Sequence, residues 1–191
     1  MRYSQLAIAS AFLCLLGPGC IFSPHKGTGG GTPPPVYLIP YSPDAVLQNL
    51  ALAYKHRDPA AYDTLFDQFY TGSSIHQSSP DSVKQYTFAK ADEVRHIWDL
   101  SRTTTITDVQ LELMPIRSRS TDAGDPPGWA MIQNPILSLS IVDGANTYTI
   151  VRDQETIEFH FKPKTPDPSS PTDTTWTIGK WTEIRTSLSG I

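Results

Sequence analysis

Cysteine is nearly absent from this 191-residue chain: Cys14 and Cys20 are the only two, and none follows residue 20. A folded part without thiols has no disulfide, no cysteine-held metal and no cysteine nucleophile. Basic residues are also few. Fifteen Lys and Arg stand against 19 Asp and Glu, giving a net charge of −4 and a pI near 5.7. That balance argues against nucleic acid as a partner, because binding it takes a basic patch or stripe. The longest apolar run, LAIASAFLCLL from Leu6 to Leu16, has eleven residues. A membrane-spanning helix takes about 20. No Gly-x-Ser-x-Gly elbow, phosphate-cradling glycine loop or internal repeat occurs, and Gly29-Gly30-Gly31 precedes prolines rather than a helix. With 39% hydrophobic and 18% charged residues, the chain is nevertheless of globular composition.

The short apolar run follows Arg2 and ends in small residues, Gly17 and Gly19, the pattern of an export signal. Cys20 comes directly after. A lone cysteine closing such a signal resembles the lipobox of bacterial lipoproteins, with Leu16 one place earlier than that motif's leucine. The resemblance implies a signal peptide over 1–19 and acylation of Cys20, palmitate included. It also implies anchorage of the exported protein to a membrane. Ile21 stands where an Asp would signal inner-membrane retention, so outer-membrane residence is expected in a Gram-negative host. Residues 20–41 then read as the acylated cysteine and a tether, with four glycines and five prolines between Ile21 and Tyr41. Fully extended, it would reach roughly 70 Å.

Residues 42–191 read as one α+β domain. Ser42-Pro43-Asp44 is a helix start, and Val46, Leu47, Leu50 and Tyr54 make one apolar stripe behind it. Asp58-Pro59 repeats the start signal for a second, short helix. Phe69 to His76 turns extended, and Thr87 is expected to cap a third helix holding Ala91, Val94 and Trp98. Fifteen of 20 threonines fall after residue 100, where pleated structure is expected. Val109/Leu111/Leu113, Leu137/Leu139/Ile141 and Ile157/Phe159/Phe161 alternate as half-buried strands, with a hairpin turn at Asp143-Gly144. The last strand starts at Trp176, and a bulge at Gly179-Lys180 returns Trp181 to the inward side. Residues 115–135 are expected to form one long loop, and 163–174 are rich in Pro, Ser, Thr and Asp.

Several segments resemble the nuclear-transport-factor-2-like (NTF2-like) superfamily, which includes SnoaL-like and ketosteroid-isomerase-like proteins. They are Ala53–Asp58 between the first two helices, Asp67-Gln68-Phe69, Asp92-Glu93-Val94 and the final Trp176–Trp181. Their order and spacing over 42–187 carry the resemblance, which is nearest to uncharacterised bacterial lipoproteins. It implies three N-terminal helices packed on a curved antiparallel sheet that forms a cone, often enclosing a pocket. It further implies a homodimer and, in some members, isomerase or dehydratase chemistry. The isomerases place a carboxylate base just after the first strand begins. Here the matching stretch, Phe69-Tyr70-Thr71-Gly72-Ser73-Ser74, has none.

The expectation is therefore a lipid-anchored envelope protein whose domain binds a small apolar ligand or an envelope protein without catalysis and without a cofactor. The alternative is a pocket enzyme, with His76 or the His96/Asp99 pair, three apart on one helix, as oriented base. His160 alternates with Phe159 and Phe161 and is expected on the outer sheet face. No two histidines have a compact ligand spacing, so no metal set is read. Trp98, Trp176 and Trp181 are expected in the core, while Trp129, in the long loop, is the candidate recognition residue.

Overall fold

The computed structural model describes residues 33–79, 82–151, 155–164 and 174–186. The signal, Cys20, most of the tether and residues 165–173 lie outside the described residues. No helix among the described residues is long and apolar enough to cross a membrane.

Two helices open the domain. Helix α1 (Pro43–His56) is capped by the Ser42 hydroxyl, which accepts from the Ala45 N–H at 3.1 Å. It ends at Arg57, in the left-handed region at φ 49°, whose guanidinium donates to the Ile106 carbonyl at 2.7 Å. Helix α2 (Pro59–Thr64) is capped by Asp58, which accepts from the N–H groups of Ala60 and Ala61. The hairpin β1 (Phe66–Ser79) and β2 (Ser82–Ala89) follows, and only then α3 (Lys90–Arg102). The expected block of three N-terminal helices is thus split by two strands. Thr87 lies in β2 rather than at the helix start. The Asp92 carboxylate closes that first turn by accepting from the Ala89 N–H at 2.9 Å.

The remaining strands are β3 (Ile106–Leu113), β4 (Arg119–Ser120), β5 (Ala130–Gln133), β6 (Ile136–Asp143), β7 (Asn146–Val151), β8 (Glu155–Pro163) and β9 (Trp176–Thr186). One sheet has the order β2-β1-β9-β8-β5-β4 and the other β3-β6-β7. All ladders are antiparallel except β1 with β9, which run parallel, so the sheet is antiparallel-rich rather than wholly antiparallel. The Asp143-Gly144 turn forms as read, with Gly144 at φ 58° in the two-residue loop between β6 and β7. The expected loop 115–135 is interrupted by β4 and β5, too short to announce themselves by periodicity.

The core gathers Val46, Leu47, Leu50 and Ala53 of α1 with Ile97 of α3, Val109 of β3, Phe159 and Phe161 of β8 and Ile178 of β9, all without solvent exposure. Trp176 and Trp181 are buried as expected. Trp98 is not: it is 47% exposed, with the Arg102 guanidinium over its ring at 4.8 Å. The folded unit also begins earlier than residue 42, at Pro35. Tyr37 donates to Asp58, Leu38 exchanges two bonds with the Asn49 amide, and the Trp176 N–H donates to the Pro40 carbonyl.

Candidate functional site

A cavity of about 440 Å³ lies between α1, α3, the β2-β1-β9-β8 part of the larger sheet and β3 and β6 of the smaller one. Leu111, Ile136, Leu137, Leu139, Ile157, Phe88 and Trp181 supply an apolar lining. Against it stand a few polar groups, chiefly Glu93 and His96 of α3, Tyr54 of α1, Tyr70 of β1 and Glu183 of β9. That combination is the usual anatomy of a small-molecule site.

Glu93 is the centre of this polar set. It falls in the first turn of α3, where an acid complements the helix dipole, and α3 turns it toward β1. The Tyr70 hydroxyl donates to its Oε1 at 2.9 Å and the Tyr62 hydroxyl to its Oε2 at 3.2 Å. Burial pushes its carboxyl above the ordinary glutamate range, and the two tyrosine bonds offset only part of that. Burial likewise raises the Tyr70, Tyr62 and Tyr54 hydroxyls, so all three stay protonated donors. The rings form a chain, Tyr54 to Tyr62 at 5.4 Å, Tyr62 to Phe66 at 4.8 Å and Phe66 to Tyr70 at 4.8 Å.

Gly72 makes room for this arrangement. It pairs with Phe88 on one side and Trp181 on the other, and a Cβ there would stand 2.5 Å from the Tyr70 hydroxyl oxygen. The Trp181 ring packs at a tilt against Phe159 with centroids 4.5 Å apart, and its Nε1 is buried without a hydrogen-bond partner among the described residues. Such an N–H has lost water without gaining a protein acceptor.

The sequence-read residues fare differently. His96 lines the cavity, exposed at its rim and 6.1 Å from the Tyr54 ring; desolvation lowers its pKa, with Asp99 opposing. Asp99 is exposed and is not among the lining residues, and His76, exposed on β1, is not either. Trp129 is half-buried and packs against β9, where a Cβ on Gly179 would collide with its indole. None of residues 115–135 lines the cavity, so the long segment is no lid to it.

His160 lies on the sheet face away from Phe159 and Phe161, as expected, yet it is fully buried. The strand does alternate, placing His160 opposite Phe159 and Phe161, but the segment between β4 and β5 covers that face. Asp125 of this segment lies 2.5 Å from His160 Nδ1.

No family model matches this chain, and no curated protein matches it either. Among solved structures it is similar to an NTF2-like superfamily protein from Salmonella enterica, at 13% identity over 76% of this chain and 89% of that one, with a TM-score of 0.49. It is also similar to an NTF2-like protein of unknown function in nutrient uptake from Rhodospirillum rubrum (11% identity, 73% and 94% covered, TM-score 0.45). A third similar structure is a ketosteroid isomerase-like protein from Erwinia carotovora atroseptica (12% identity, 77% and 94% covered, TM-score 0.41).

Proposed function

We propose that this chain is an exported, lipid-anchored cell-envelope protein whose NTF2-like domain holds a small, mainly apolar molecule without transforming it. The observation that carries the binding half is the cavity: about 440 Å³, largely apolar, with Glu93, Tyr70 and Trp181 gathered on one side. An apolar ligand body fills the β3/β6 side, and its polar end meets the Glu93–Tyr70 pair. Cys20 supplies the anchor, and residues 21–34 space the folded unit from the membrane surface.

Titration with the neutral fluorophore N-phenyl-1-naphthylamine tests the cavity. Leu139→Trp, which fills it, should abolish saturable binding while leaving the melting temperature near wild type. Equal binding by both proteins would sink the reading. For the anchor, Cys20→Ser should lose palmitate labelling and leave the membrane fraction; an unchanged distribution would defeat it.

One observation favours an enzyme as second reading. Glu93 is a carboxyl with a raised pKa, on the wall of a largely apolar cavity and oriented by two tyrosines, as a general acid–base would be. It would replace the carboxylate missing from Phe69–Ser74. Turnover of a bound ligand, lost in Glu93→Gln with binding retained, would decide for it.

A further inference from the structure

On the sheet face opposite Phe159 and Phe161, three carboxylates converge on one imidazole. Asp125 Oδ2 is 2.5 Å from His160 Nδ1, Asp122 Oδ2 is 3.9 Å from the same nitrogen, and Glu158 Oε2 is 3.9 Å from Nε2. Among the described residues, His160 is the only ionic partner of all three acids. The site is deep: His160 is fully buried and the Asp125 side chain is 7% exposed. Among the described residues, Nε2 has no hydrogen-bond partner. Even a protonated imidazole would leave the buried Asp125 and the part-exposed Asp122 and Glu158 facing one positive charge, and unbalanced charge near a buried group is costly.

We propose that Asp122, Asp125 and His160 Nδ1 form a binding site for a divalent transition-metal ion, with Zn²⁺ the preferred occupant. Their donor atoms already lie within 4.8 Å of one another. Ligands at about 2.0–2.2 Å from a tetrahedral ion stand roughly 3.3–3.6 Å apart. Asp122, 3.9 Å from Nδ1 and 37% exposed on its turn, closes on that nitrogen by about half an ångström, while Asp125, at 2.5 Å, backs off by about an ångström as the ion replaces its contact with Nδ1. Metal at Nδ1 leaves the ring proton on Nε2, which faces Glu158 Oε2 at 3.9 Å. An approach of about 1 Å by that carboxylate would complete the usual support of a metal-bound histidine. One imidazole and two carboxylates suit Zn²⁺ better than Mg²⁺ or Ca²⁺, which take oxygen sets. Because both acids come from the segment between β4 and β5 and the histidine from β8, the ion would fasten that segment to the sheet.

The test uses the full chain, stripped with chelator and then loaded with Zn²⁺ alone. One ion per chain should survive gel filtration, and Zn²⁺ should slow tryptic cleavage after Arg119. Asp122→Asn, at an exposed position compatible with folding, should weaken Zn²⁺ binding at least about tenfold, and Glu158→Gln by a similar factor. His160→Gln should abolish it, and Mg²⁺ should not substitute. If Asp122→Asn binds Zn²⁺ as wild type does, or if stripped wild type takes up none at about 50 µM, no metal site exists here. That outcome leaves the cavity reading untouched, because no cavity residue is involved.

Discussion

Replacing Gly72 by alanine tests whether the Glu93 cradle is built as described. Gly72 is in β1 with ordinary strand backbone, so the added methyl would by itself stabilise by about 0.4–1 kcal/mol through the unfolded chain. The packing reverses that sign. The new Cβ would sit 2.5 Å from the Tyr70 hydroxyl oxygen, 3.2 Å from its Cζ and 3.3 Å from Phe88 Cβ. Reaching ordinary contact moves the hydroxyl by about 0.9 Å. Tyr70 is 4% exposed and packs edge-on against Phe66, so it moves only by turning its hydroxyl away from Glu93 along the cavity wall. Its 2.9 Å bond to Glu93 is what yields. A lost bond to a charged group costs about 1.5–3 kcal/mol and overpacking about 1–3, for an expected net destabilisation of about 2–5 kcal/mol. Urea unfolding of wild type, Gly72→Ala, Tyr70→Phe and the double variant gives the coupling directly. The Gly72→Ala penalty should shrink in the Tyr70→Phe background, where the closest clash and the bond are both gone. A neutral or stabilising Gly72→Ala, or an equal penalty in both backgrounds, would refute the reasoning.

Three further outcomes are expected. Because the folded state raises the Glu93 pKa, it holds that proton more tightly than the unfolded chain, so this group's contribution to stability declines as pH rises from the ordinary glutamate value through the raised one. Glu93→Gln should lack that decline in urea midpoints between about pH 4 and 8; superimposable profiles would contradict it. Trp181→Ala should cost about 3–5 kcal/mol as a core truncation and Trp129→Ala, half-buried on Gly179, about 1–3 kcal/mol in thermal melts. A Trp129→Ala melt identical to wild type would mean that its packing on β9 contributes nothing. Sedimentation should show a dimer at high micromolar concentration, and a monomer there would remove the homodimer proposal.

The elements that local chemistry announces were legible. Ser42 and Asp58 cap helices beside Pro43 and Pro59 because their side chains reach N–H groups two or three residues on. Ile157, Phe159 and Phe161 reveal a strand because alternation of side chains between two faces is a property of the strand itself, even though His160 on the second face is covered as well. What depends on partners far along the chain was not legible. Glu93 reads as an acid in a first helical turn, and Tyr62 and Tyr70 as core aromatics; only folding brings the three together over separations of 31 and 23 residues. His160 likewise carries no local sign of its cover, since Asp125 is 35 residues away on a segment without apolar pattern. The absence of a carboxylate in Phe69–Ser74 was informative about that stretch alone: the cavity acids come from α3 and β9 instead.

The bulge in β9 was visible in the sequence, and it ties the two faces of the domain together. His160 pairs with Lys180 and Phe161 with Ile178, which leaves Gly179 as the extra residue. Before it, Ile178 faces the core; after it, Trp181, Glu183 and Arg185 line the cavity at alternate positions. Strict alternation from Ile178 would instead have sent Lys180 and Thr182 inward, since a one-residue slip exchanges the faces of a strand. The inserted residue must also lack a side chain, because the Trp129 indole occupies the position a Cβ would take. One glycine thus serves both faces. It turns Trp181 and Glu183 toward the cavity, and it seats Trp129 on the opposite side, four residues beyond Asp125 at the His160 cluster. A substitution at Gly179 acts first on the Trp129 seat, whereas a deletion reverses the register that places Trp181 and Glu183 beside Glu93.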